Sequence, residues 1–417
     1  MSEDGADPLQ EFRARFALPR DAAGRPLVYF CGHSLGLMPL AARQIVNEEL
    51  DSWEARGISG QFSGRRPWID YASLLTAGLA TLAGAHGHEV VAMNALTVNL
   101  HMLLASFYRP QGARQRILIE AGAFPSDRHA VVAQIRWHGL DPADCLIELA
   151  PREGEELLRE DDIEGAIERA GETLALVLWP GVQYLTGQAF DLVRLARTAR
   201  RAGAAIGFDL AHAIGNVPLA LHDSDADFAA WCSYKYLNAG PGAIGGAFVH
   251  ERHQYRADLP RLAGWWGNDP ATRFLMAPAF DCAPGAAGWQ ASNPPILSAA
   301  PLLASLGIFA AAGLARLRAK SIELTRALEA QITALPPGEA TIISPRASDR
   351  RGAQLSVRMR GSRDRGRRVH EALGARGVVC DWREPDVLRL APVPLYNTFD
   401  EVRACGLALR EVLAEIP

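Results

Sequence analysis

The chain has 417 residues, 49% hydrophobic and 22% charged, with a formal net charge of −4. That length predicts two domains, or one large α/β domain with an appendage, in an ordinary globular composition. The mildly acidic balance, without a long basic run, argues against nucleic acid or an anionic membrane as the main partner.

The first seven residues are acidic and polar, which suits neither a secretory nor a mitochondrial signal. A short helix is expected over residues 11–18 and a brief extended piece over 26–30. These lead into the glycine-rich turn Cys31-Gly-His-Ser-Leu-Gly-Leu37, which brings backbone close to a ligand or simply turns. Val46, Leu50 and Trp53 fall at helical spacing in residues 40–56, and Gly57 is the stop. A loop rich in glycine, arginine and aromatics (60–68) and a helix (71–83) follow.

Next come three strand-to-helix junctions with polar residues at the turn. Thr97 lies near the start of a helix running to residue 108, where free N–H groups and the helix dipole cradle phosphate. A strand over 116–120 leads to Phe124-Pro-Ser-Asp127 and a helix to 138; Ser126 is the expected N-cap. Phe124, at a strand's carboxyl end, is either core or a surface on which a flat cofactor stacks. A buried strand (173–179), a helix (191–201) and a strand (204–209) then argue for a parallel sheet.

Two apolar runs end on chemistry. Residues 205–208 stop at Asp209, with His212 three residues on, and residues 228–232 stop at Ser233-Tyr-Lys235. Strand ends that aim a carboxylate, an imidazole, a phenol and an amine at one place suit a site at the carboxyl edge of an α/β sheet. A lysine that forms a Schiff base and an upstream aspartate that keeps a pyridine nitrogen protonated are what pyridoxal phosphate requires. A surface lysine and a loop aspartate are the bland account of any one such pair.

A strand is expected over 246–250, and the alanine-rich residues 296–314 read as a buried helix rather than a membrane span. A long helical stretch to about 335 opens a smaller α+β unit. In it Leu355, Val357 and Met359 alternate, a helix covers 364–375, strands cover 378–382 and 387–390, and Asp400 caps a terminal helix. The expected division is an N-terminal segment, 1–52, packing with the small domain; a large domain, 53–299; and a small domain, 300–417. The six cysteines (Cys31, Cys145, Cys232, Cys282, Cys380, Cys405) show no C-x-x-C spacing, so a reduced, cytoplasmic compartment is expected. Gly240-Pro-Gly-Ala-Ile-Gly245 matches G-x-G-x-x-G but contains a proline and precedes a strand, which speaks against a dinucleotide fold. His250-Glu-Arg-His253 is H-x-x-H, which does not set two zinc ligands on one helical face; a solvated loop is expected there. With no G-x-S-x-G elbow, serine-hydrolase chemistry has no support.

Taken in order, Tyr29-Phe-Cys-Gly-His-Ser-Leu-Gly-Leu37, Met93-Asn-Ala-Leu-Thr-Val-Asn-Leu-His101, Phe124-Pro-Ser-Asp127, Gly181-Val-Gln-Tyr184, Gly207-Phe-Asp-Leu-Ala-His212 and Trp231-Cys-Ser-Tyr-Lys-Tyr-Leu-Asn-Ala-Gly240 resemble kynureninase. Ser292-Asn-Pro-Pro-Ile296 and Val387-Leu-Arg-Leu-Ala-Pro-Val-Pro-Leu-Tyr-Asn397 extend the likeness almost to the C-terminus. The resemblance implies a fold-type-I pyridoxal-phosphate enzyme, with a mainly parallel sheet in a large domain and a smaller α+β C-terminal domain. It implies a homodimer that hydrolyses L-kynurenine, or its 3-hydroxy derivative, to anthranilate (or 3-hydroxyanthranilate) and L-alanine, in tryptophan breakdown or NAD synthesis. Lys235 would hold the cofactor aldehyde, Asp209 would pair with the ring nitrogen, and Phe124 would stack on the ring. Leu96, Thr97, Ser126, Asp127 and His212 would line the cofactor, while Tyr234 would reach the phosphate and relay protons. Trp265 and Asn293 would close the phosphate side from the neighbouring subunit. Arg389 would clamp the substrate α-carboxylate, with Ser34 and Gln61 also facing substrate. His33, Gln61, Pro180 and Asn268 depart from the family pattern and bear on the aryl preference. Rival readings are a class V aminotransferase, a cysteine desulfurase, for which no cysteine lies in an obvious mobile loop, and a non-catalytic pyridoxal-phosphate regulator.

Overall fold

The computed structural model describes residues 7, 9–254, 256 and 258–416. Two short strands, β1 (Val28–Tyr29) and β2 (Val90–Ala92), precede a regular alternation of strand and helix. The alternation comprises β3 (Arg116–Glu120), β4 (Leu146–Leu149), β5 (Leu174–Pro180), β6 (Ala205–Asp209), β7 (Phe228–Trp231) and β8 (Gly246–Val249). These form a seven-stranded sheet ordered β2-β8-β7-β6-β5-β3-β4. Pairing is parallel from β7 through β4, while β8 runs antiparallel to both its neighbours.

The sheet is buried on both faces, as its near-continuous apolar strands require. Side-chain alternation divides them: Ile117, Ile119, Leu176 and Leu178 face one core with Leu100, Leu103 and Val131. Leu118, Val177, Trp179, Ile206 and Phe208 face the other, with Leu195 and Ala196 of the helix Leu192–Arg201.

A second sheet is antiparallel, ordered β12-β13-β10-β9, from β9 (Ala340–Ile342), β10 (Leu355–Met359), β12 (Asp381–Arg383) and β13 (Val387–Leu390). The expected strand 378–382 is two strands: β11 (Val378–Val379) pairs in parallel with β1, and only β12 joins the second sheet. The helical stretch after residue 296 likewise breaks at Gly313, φ +78°, into Ile296–Ala312 and Leu314–Thr333, bent by 83°. Among the described residues no single helix is long and apolar enough to cross a membrane. The first of the pair is lined with buried Ala299, Ala300, Leu302 and Phe309. The terminal helix Phe399–Glu415 is capped by Thr398 in a capping box with Glu401, not by Asp400, which lies in its first turn.

Candidate active site

Four neighbouring strands bring the chemistry together at their carboxyl ends, the edge at which α/β sheets place their sites. β3 ends at Glu120, β5 at Pro180 and β6 at Asp209, and the turn after β7 carries Tyr234 and Lys235. A cavity of about 130 Å³ lies there, lined by Lys235, Asp209, Tyr234 and His212 together with Phe124, Ser126 and Asp127. Leu96 and Thr97 line it as the first two residues of the helix Leu96–Phe107. That helix has no side-chain cap, so its first N–H groups face the cavity end free for an anion. The turn 31–37 reaches the same place because residue 36 is glycine. Its N–H donates to the Tyr234 carbonyl at 2.8 Å, and a Cβ there would lie 2.3 Å from the Lys235 carbonyl oxygen.

The electrostatics of the cavity are unbalanced. Asp127 and Asp209 are both buried; burial first, and then the Asp209 charge, hold the Asp127 carboxyl well above the usual range. Burial, reinforced by Asp209, pushes Glu120 up to about 8. His212 is held neutral by burial and by the Lys235 and Arg389 charges. Asp127 Oδ1 and His212 Nδ1 are buried without a hydrogen-bond partner. Lys235 Nζ lies 5.7 Å from the Phe124 ring centroid, and Tyr184 meets that ring edge-on at 5.3 Å.

Arg389 is 1% exposed on β13, opposite Asp381 of β12, with which it pairs. Its Nη1 donates to the Tyr184 carbonyl at 2.7 Å and its Nη2 to Ser34 Oγ at 3.2 Å; Nε is buried and unpartnered. Burial lowers the guanidinium to about 10, so it stays charged at neutral pH. Ser34 and Arg389 therefore stand together, joined to the cavity through Tyr184. Gln61, half-buried, and Trp265 and Asn293, both exposed, lie outside the cavity lining of their own chain.

Two solved structures share the fold. The cysteine desulfurase CsdA from Escherichia coli superposes with a TM-score of 0.79 at 18% identity, covering 98% of each chain. A mutant of C-DES with glycine covalently linked to its PLP cofactor superposes at 0.77 and 19%, covering 92% of this chain and 96% of that one. Residues 317–409 match the family described as the kynureninase C-terminal domain. The kynureninase of Xanthomonas euvesicatoria pv. vesicatoria (strain 85-10) is 57% identical over 399 residues, 96% of this chain and 94% of that one. That of Stenotrophomonas maltophilia (strain K279a) is 56% identical over 399 residues, with the same coverage. The chain belongs to the kynureninase family. It is a fold-type-I enzyme whose cofactor is pyridoxal phosphate.

The cavity fits the kynureninase cofactor on its own terms. Two buried carboxyls with an unsatisfied oxygen suit a protonated ring nitrogen, the uncapped helix start suits a phosphate, and an amine lies over an aromatic face. The chain holds two lysines, Lys235 and Lys320. Lys320 is buried in an ion pair with Asp7 at 2.6 Å, in the helix Leu314–Thr333, which leaves Lys235 as the amine at the cavity. That scarcity was legible in the sequence and is a stronger pointer than the local motif.

Three residues at the site were given no role from the sequence: Glu120, Asp381 and Tyr184, the last quoted only within a resembling stretch. Glu120 and Tyr184 line the cavity, and the Tyr184 carbonyl holds Arg389. Ser126 is not an N-cap. Phe124 holds that position, Pro125 is the first helical residue and Ser126 the second, so its hydroxyl is left to face the cavity. His250 and His253 are not in a solvated loop. Both are buried, and His253 Nε2 lies 2.7 Å from Asp227.

Proposed function

We propose that this chain hydrolyses L-kynurenine, and also 3-hydroxy-L-kynurenine, to anthranilate (or 3-hydroxyanthranilate) and L-alanine in the kynurenine pathway, with Lys235, Tyr234 and Asp209 as its catalytic residues. The observation that carries the residue roles is the meeting of Lys235 Nζ, the Phe124 face and the Asp127–Asp209 pair on one buried cavity. When bound, pyridoxal phosphate supplies an electron sink for the bonds at the substrate Cα. Lys235 Nζ would hold the cofactor aldehyde, and its amine is the base for the substrate Cα proton. Asp209 would pair with the ring nitrogen, with Asp127 beside it. His212, held neutral, adds no competing charge, and Leu96, Thr97 and Ser126 would hold the phosphate end. Arg389 binds the substrate α-carboxylate through its unpartnered Nε, alongside Ser34. Burial raises the Tyr234 phenol, so it keeps its proton at neutral pH and delivers it during Cβ–Cγ cleavage after water adds to the side-chain ketone.

Exposed apolar side chains support a homodimer. Trp53, Ile58 and Phe62 are 61%, 80% and 63% exposed, and Phe62 and Trp265 both stack edge-on against Phe274. Across such an interface Trp265, Asn293 and Gln61 reach the neighbouring cavity. Six free cysteines support a cytoplasmic location. Cysteine desulfuration is disfavoured because none of the six lines the cavity.

Steady-state anthranilate release from L-kynurenine, run beside 3-hydroxykynurenine and L-cysteine, tests the reading. Saturable release of anthranilate without sulfide is expected; sulfide from cysteine with no anthranilate would overturn it.

A further inference from the structure

The amino ends of the parallel strands carry a second cluster of titratable side chains, remote from the cofactor cavity. His86 precedes edge strand β2, His222 lies in the short helix Leu221–Ser224 before β7, and Glu251 follows β8, whose last residue pairs with the first of β7. Between them lies Glu89, wholly buried. One ligand atom from each of His86, Glu89, His222 and Glu251 falls within 4.8 Å of all the others. His222 Nδ1 is 3.1 Å from both Glu89 oxygens, and His86 Nδ1 is 3.3 Å from Glu251 Oε2. The imidazoles of His86 and His222 face each other with centroids 3.9 Å apart.

We propose that His86, Glu89, His222 and Glu251 form a binding site for a divalent first-row transition metal, zinc by preference, that ties three separate segments at the sheet's amino edge. Two neutral imidazoles and two carboxylates balance a double positive charge and match zinc's nitrogen and oxygen ligands. Magnesium and calcium take six or more oxygens, which this set does not offer. Tetrahedral zinc with ligands about 2.1 Å away sets neighbouring ligand atoms about 3.4 Å apart. The carboxylate–imidazole pairs already stand close to that spacing. The longer separations, up to 4.8 Å, close by at most about 1.4 Å through rotation of His86 and Glu251, whose side chains are 52% and 43% exposed. The buried Glu89 is fixed by backbone N–H groups of His86 and Glu251, at 2.9 Å each, so the deepest ligand is already in place. His88, whose Nε2 meets Glu251 at 2.9 Å, orients that carboxylate from outside. Nothing in this cluster lines the cofactor cavity, so the ion's work is structural: it pins the three-residue edge strand β2 to the turn after β8.

The holoenzyme, freed of adventitious metal by chelator and desalting, is titrated with zinc chloride against a chromophoric zinc indicator. One zinc per chain with a dissociation constant of about 1 μM or tighter is expected, together with a rise in thermal midpoint. The double variant His86→Ala/His222→Ala loses at least about a hundredfold in affinity and the thermal shift, and His88→Ala loses about tenfold. Both keep the cofactor absorbance and turnover of the parent. Should the double variant fail to fold, Glu251→Gln, at a half-exposed position, carries the same expectation of at least about a tenfold loss. A parent that binds no zinc at about 100 μM, or variants that bind it as the parent does, would overturn the proposal.

Discussion

The two ends of the seven-stranded sheet use the same residue types to opposite effect. At the amino end, Glu89 is fully buried, and burial alone would raise its carboxyl. Backbone N–H groups of His86 and Glu251 and the His222 imidazole outweigh that and hold it below the usual range. At the carboxyl end, Glu120, Asp127 and His212 are also buried, and Glu120 has only a long bond from Gln183, at 3.4 Å. Each is driven toward its neutral form, and Asp127 Oδ1 and His212 Nδ1 are left unpartnered. The difference separates a buried carboxylate that its own chain already compensates from buried groups that their own chain leaves short of partners.

Substitutions sharpen the contrast, beginning with the largest effect. Lys235→Ala should lower anthranilate release by at least about a thousandfold and remove the visible absorbance, with thermal stability little changed. Asp209→Asn removes the charge proposed to pair with the ring nitrogen and should cost about a hundred- to thousandfold in kcat, measured with cofactor saturating. Arg389→Lys keeps the charge but loses the planar fork, so KM for L-kynurenine should rise about ten- to a hundredfold with a smaller fall in kcat. Glu120→Gln should act through pH. The unfolded chain releases this proton near its ordinary 4.5 and the folded chain near about 8. Between those values the native state holds the extra proton, so stability falls as pH rises. Urea unfolding at pH 5 and pH 8 should show the variant gaining on the parent by a few kcal/mol across that window. At the other end, Glu89→Gln should cost about 1–3 kcal/mol at neutral pH and leave turnover untouched, because it disturbs the bonds to His86, His222 and Glu251, all remote from the cavity. Its carboxyl sits low, so that loss should shrink as pH falls through the folded value. Equal effects of Glu89→Gln and Asp209→Asn on turnover would erase the contrast.

Much of the cofactor side was readable in advance because parallel strands buried on both faces announce themselves, and their polar last residues stand out. Asp209, the last residue of β6, is such a case, and Lys235 lies in the turn after β7. The direction of β8 was not readable: Gly246-Ala-Phe-Val249 is buried on both sides and looks alike run either way. β4 and the helix Glu160–Ala170 went unread because the strand is short and half-buried and the helix is mostly charged. Asp381 was hidden for a different reason. Its pairing with Arg389 depends on the register of β12 on β13, a long-range fact that no local pattern encodes. The helix Leu40–Arg56 was placed to the residue, yet of its stripe only Val46 is half-buried against the core, while Leu50 and Trp53 are exposed. Periodicity reported an apolar face without saying what covers it.

The most direct test of the central claim uses the scarcity of lysine. Borohydride reduction of the purified holoenzyme fixes an aldehyde–lysine linkage permanently, and peptide mass spectrometry then locates the added pyridoxyl group. The account predicts the label on Lys235 alone, in near-stoichiometric amount and lost in Lys235→Ala. Label on Lys320, or cofactor retained at full occupancy with Lys235 unmodified, would contradict it.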